Sequence, residues 1–180
     1  MTFLFEPLNN RLIVGGANPV VAALSGLVPM LILAAIQAML IGFTIQVPCG
    51  IAVAHPLAYY GLVILTSFVF AALVQAIIAV FGFPGKFVAV VLLMLQLTTA
   101  AGTFPIETEF PIFQAMSPYL PMTYVVRALR QAMAGANLSL VGPCVAAMGC
   151  FLAGSFAITC LEAARRRTLT LMDLHPVVDL

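Results

Sequence analysis

The sequence predicts an all-α integral membrane protein with four transmembrane helices and an extracellular helical hairpin, and three observations carry that prediction. The first is composition: 63% of the 180 residues are hydrophobic and 7% charged, against about 45–50% and about 25% in an average soluble domain. Seven basic and six acidic side chains are too few to coat even a small domain, so lipid must do the coating. The second is the spacing of those charges, which leaves three long silences: Arg11 to Lys86, Lys86 to Glu107, and Arg130 to Glu162. The third is where proline and glycine interrupt the apolar runs. A net charge of +1 supplies no field for nucleic acid.

A helix rises about 1.5 Å per residue and the hydrocarbon core is about 30 Å thick, so about 20 residues make one crossing. Residues 1–23, with Asn9, Asn10, Arg11, Gly15, Gly16, Asn18 and Pro19, read as a cytoplasmic elbow. The first silence is long enough for two spans. Pro48, Cys49, Gly50, His55 and Pro56 break it, because proline and the residue before it disfavour helix. The spans are placed at residues 24–47 and 56–81. Gly82, Phe83, Pro84 and Gly85 then make a tight turn into a third span at residues 87–103. The last span, 138–161, is closed by Glu162 and the run Arg165, Arg166, Arg167, which opens a cytoplasmic tail at 162–180.

Residues 104–134 form a further apolar stretch that is not read as a crossing. It holds Pro111, Pro118 and Pro121 and is flanked by Glu107, Glu109, Arg127 and Arg130. Four spans place Arg11, Lys86 and the arginine run inside and Arg127 and Arg130 outside, five basic residues to two. A fifth span would leave four to three. The stretch is therefore expected to be re-entrant or interfacial on the outer side, broken at Ser117 and Pro118 into two short helices. In the second, Met122, Val125, Leu129 and Met133 recur at helical spacing, with Arg127 and Arg130 opposite and Gly135 at the end. The plain alternative is a surface-lying linker.

No glycine-rich phosphate loop occurs, so any ATP hydrolysis belongs to a separate subunit. His55 and His175 fall on opposite sides of the membrane in this topology and share no metal site, and the four cysteines lack metal-type spacing. No catalytic set, metal or cofactor is expected, and an enzyme is the least expected class. Within the spans the informative side chains are Gln37, Gln75 and Gln96, joined by Thr98 and Thr99. They either glue helices together or line a polar path between bundles. Ala22 with Gly26, and Cys150 with Gly154, permit close helix approach.

The stretch Gln96 to Glu107, with Gly102, Thr103, Phe104 and Pro105 at its centre, followed by Pro118, Tyr119, Leu120, Pro121, Met122, Thr123 and Tyr124, resembles the C-terminal membrane region of the YhgE/Pip (phage infection protein) family. That family groups with the type-2 ABC exporter permeases and is related to the EsaA-like components of type VII secretion. The resemblance implies a permease half in which two re-entrant helices precede the last span. Gly102, Thr103, Phe104, Pro105 and Glu107 then mark the first bend, and Pro118, Pro121, Thr123, Tyr124 and Arg127 the second. Relatives carry a first span and a long extracellular region ahead of the elbow, so the chain reads as truncated or split. The function expected is a plasma (inner) membrane permease subunit with both termini cytoplasmic. It would export an apolar, amphipathic or peptide-like substrate as a homodimer or with a partner permease half, beside a separate ATPase subunit. The rival is a non-transporting scaffold or phage-docking component of a secretion-type assembly.

Overall fold

The computed structural model describes residues 18–100, 110–135 and 138–173, and every regular element among them is helical. In chain order these are α1 (Pro19–Gln46), α2 (Pro56–Phe81), α3 (Gly85–Thr99), α4 (Pro111–Met116), a 3₁₀ turn (Ser117–Tyr119), α5 (Pro121–Ala134), a second 3₁₀ turn (Leu138–Leu140) and α6 (Val141–Asp173). Three stretches are long and apolar enough to cross a membrane: Val20–Gln46, Pro56–Phe81 and Val141–Arg165. Their outward surfaces are apolar, with Ile32, Leu40, Leu57 and Leu161 among the exposed side chains, as expected of helices solvated by hydrocarbon.

The observed bounds differ from the expected ones for identifiable reasons. Helix α1 begins inside the expected elbow because Pro19 occupies the first helical turn, where its missing N–H and fixed φ are favourable. Helix α3 is 15 residues long, about 22 Å. It ends four residues before the expected 103: Ala100 leaves helical geometry after the β-branched pair Thr98 and Thr99. Helix α6 runs on through the arginine run to Asp173, so the first part of the expected tail is helical. No proline or glycine interrupts it between Gly154 and Pro176. Residues 1–17 of the elbow lie outside the described residues.

Helix α2 is the hub, packing against α1, α3, α5 and α6. At one end of the bundle Ala22 of α1, Ala79 of α2 and Ala163 of α6 meet, each buried, and three such small side chains let three backbones converge. The α2–α3 turn lies at the same end. A Cβ on Gly85 would stand 2.8 Å from the carbonyl oxygen of Ile77, so only glycine allows α3 to begin this close to α2. At the other end Tyr60 of α2 donates from its hydroxyl to Gln46 Oε1 of α1 at 2.8 Å, and its ring lies against Gly42.

Candidate functional site

The segment that fills the second end of the bundle is the one carrying the second motif of the sequence. Helix α5 buries Val125, Ala128 and Ala132 and leaves Arg127 and Arg130 exposed. Met122, Leu129 and Met133 are partly buried beside that seam. The small alanines, more than the large side chains, form the line of closest approach. Ala128 and Ala132 pack with Tyr59 and Leu62 near the start of α2. Val125 packs with Val69 and with Met148 of α6. Val69 is halfway along α2, so α5 runs antiparallel to α2 and its first turn reaches the middle of the bundle.

Both ends of α5 are held. At its C-terminus the orphan carbonyls of Ala132 and Met133 accept hydrogen bonds from the backbone N–H groups of His55 (3.2 Å) and Ala54 (3.3 Å) in the α1–α2 loop. Gly135 closes the helix at φ +67°, with Ala54 Cβ only 2.7 Å from where a side chain would start. At the N-terminus Thr123 Oγ1 donates to the Ser117 carbonyl at 2.7 Å. With that proton committed, Ser117 Oγ donates in turn to Thr123 Oγ1 at 3.0 Å. Tyr124 donates from its hydroxyl to the Pro118 carbonyl at 2.8 Å. Pro118, Pro121, Thr123 and Tyr124 are thus brought together as a braced bend, while Gly102, Thr103, Phe104, Pro105 and Glu107 lie outside the described residues.

The glutamines separate into distinct environments. Gln75 is 1% exposed and donates from Nε2 to the Ala23 carbonyl of α1 at 3.1 Å, a cross-helix tie. Gln96, equally buried, has no hydrogen-bond partner for Nε2 or Oε1 among the described residues. Gln37 is exposed and lines, with Ser67, Phe70 and Leu93, a recess of about 250 Å³ between α1, α2 and α3. Thr98 and Thr99 turn their hydroxyls back onto the carbonyls of Met94 and Leu95, which satisfies them within α3. Among the described residues, no group of three or more His, Cys, Asp or Glu is placed to hold a metal. Cys49, Cys144, Cys150 and Cys160 are all free thiols. His55 is exposed at the loop end of the bundle.

Two parts of this arrangement escape sequence reading. Ser67 faces Gln37 across the recess without any distinguishing pattern, and the Ala54 and His55 ties use backbone alone. Ser117 had a signal: a hydroxyl just before Pro118 and six residues ahead of Thr123 suits a side-chain-braced turn.

Over 108 residues, 60% of this chain, the sequence is 32% identical to "Uncharacterized protein YhgE" of Bacillus subtilis (strain 168). That match takes in 14% of the length of YhgE. No protein-family model matches the chain, and no solved structure matches it. The chain is therefore a membrane-type helical protein related to a part of YhgE.

Proposed function

We propose that the chain is a permease-type subunit of an exporter in the plasma membrane, moving an apolar, amphipathic or peptide-like substrate. It works as a homodimer or with a partner permease half, and a separate ATPase subunit drives it. Both termini and the α2–α3 turn face the cytoplasm, residues 87–103 supply the fourth crossing, and α4 with α5 forms a re-entrant hairpin whose tip is the Ser117–Tyr119 turn. The carrying observation is the path of α5, which starts at the level of Val69 and ends at the α1–α2 loop. A helix inserted to half depth beside two long apolar helices suits an outer closure that tilts with the bundle. The Gln37 and Ser67 recess supplies a polar strip at mid-height for an amphipathic substrate. Resemblance to the exporter permeases, through the bend at Pro118 to Tyr124, supports the same reading.

A second reading has an observation of its own. Gly142, Cys150 and Gly154 form an exposed strip of small residues on α6, with nothing within 4 Å of a Cβ built at Gly142 or Gly154. Such a strip suits docking of further helices, and a non-transporting scaffold of a secretion-type assembly, or a docking point for phage, would use it as readily as a permease partner. Capture of the tagged chain from its own cross-linked membranes separates the two. An ATPase in stoichiometric amount supports the permease; secretion-type partners without an ATPase overturn it in favour of the scaffold. In an exporting complex Tyr124→Ala, which removes the Pro118 brace, is expected to depress export at normal chain levels, and unchanged export removes the closure role from the hairpin.

A further inference from the structure

A second recess lies apart from the Gln37 strip. It is a cavity of about 450 Å³ between α5 and the start of α6, lined by Tyr124, Arg127, Arg130, Gln131, Leu140, Pro143 and Cys144. That volume falls within the range of about 300–1,000 Å³ typical of small-molecule sites. The polar lining has a simple origin in helix geometry. Tyr124, Arg127 and Gln131 recur at three- and four-residue spacing and so form one strip along α5, with Arg130 beside it. The opposite wall comes from the 3₁₀ turn and first turn of α6 and is apolar: Leu140, Pro143 and the thiol-bearing Cys144.

Two guanidiniums, of Arg127 and Arg130, therefore face one cavity. Guanidinium is the donor group best matched to a phosphate oxyanion, which it binds through paired N–H bonds. The second wall is unsuited to a hydrated ion but suited to the glycerol and first methylenes of an acyl chain. Leu140 of that wall is itself exposed, and the exposed Val145 extends the apolar surface onto α6. The α6 wall of the cavity lies at the end of a helix long enough to cross a bilayer, and such ends lie near the lipid headgroups.

We propose that this cavity binds the phosphodiester headgroup of an anionic phospholipid, with Arg127 and Arg130 on the phosphate and the chains running along α6. A free phosphate presents the same oxyanion to the same arginines. The apolar wall is what selects the lipid. The site does not depend on the chain being an exporter.

Native mass spectrometry of the full chain, released from detergent with equal amounts of phosphatidylglycerol and phosphatidylcholine, tests it without any ATPase or transport step. The expected result is preferential retention of phosphatidylglycerol, reduced about fivefold by Arg127→Gln and about fivefold again by Arg130→Gln. Arg127→Lys should lose less. Lys86→Gln, a charge removed at the opposite end of the bundle, should leave the preference unchanged. Equal retention of the two lipids by the unaltered chain overturns the proposal, and that comparison needs no variant to fold. A loss in Lys86→Gln as large as in Arg127→Gln also overturns it, since the preference would then be a general charge effect. Displacement of phosphatidylglycerol by equimolar inorganic phosphate assigns the cavity to a free oxyanion and removes the lipid.

Discussion

The two ends of this bundle are closed by opposite means. At one, the long helices touch directly: Ala22, Ala79 and Ala163 bring α1, α2 and α6 together with no element between them. At the other, α5 is wedged along α2 and α6 and tied to the α1–α2 loop by backbone hydrogen bonds. Direct contact through alanines leaves no room for rearrangement, because close-packed interfaces tolerate neither added nor missing volume. A wedge held by a few hydrogen bonds and small side chains can shift while its neighbours stay folded. The difference predicts a stiffer α2–α3 turn end and a more yielding α5 end.

Filling the rigid end should be the most damaging change. Ala79→Leu adds three carbons where the side chain is fully buried against two other helices, and overpacking of this kind costs about 1–3 kcal/mol. Loss of helical circular dichroism on heating in detergent gives a direct readout. A clear fall in apparent melting temperature is expected, and an unchanged value would show that the alanine contact is not what closes this end. The wedge end should respond less. Gly135→Ala places a side chain at φ +67° and against Ala54 Cβ, and a left-handed conformation costs about 1–2 kcal/mol for an L-residue. Its signature should be local: faster amide exchange at Ala54 and His55, whose N–H groups lose their carbonyl partners as α5 shifts. Global destabilisation equal to that of Ala79→Leu would erase the proposed contrast between the ends.

Sequence reasoning reaches these two ends unequally. The apolar character of the three long helices, and their breaks at Pro48 to Pro56 and at Gly82 to Gly85, are readable because proline, glycine and the absence of charge act locally. The amphipathic pattern of α5 was readable too, yet it is equally compatible with a helix lying on a surface. What decides its depth is the pairing of Ala128 with Tyr59 and of Val125 with Val69, contacts between residues far apart in the chain that leave no periodic trace. Thr98 and Thr99 read as continued span in the sequence, whereas in the structure their hydroxyls bond back within α3 just before it stops at Thr99.

The finest contrast lies in two buried amides that the sequence presents as equivalent. Gln75 sits toward the alanine-closed end and spends its Nε2 on the Ala23 carbonyl. Gln96 lies about 16 Å along α3 from Gly85, with neither amide atom bonded among the described residues. Replacement by leucine, of similar size and without polar atoms, should therefore change stability in opposite directions. Gln75→Leu removes a helix–helix hydrogen bond and is expected to lower stability by about 0.6 kcal/mol, the average for such bonds within membranes. Gln96→Leu removes two desolvated, unsatisfied atoms and is expected to raise it by about 1 kcal/mol. If Gln96 instead belongs to a path that opens when the hairpin moves, its amide meets a partner only in that open arrangement. Gln96→Leu should then raise the melting temperature and depress export together, while Gln75→Leu lowers the melting temperature and leaves export per folded molecule unchanged. Increased stability with undiminished export would make Gln96 a dispensable flaw in packing and confine the polar path to Gln37 and Ser67.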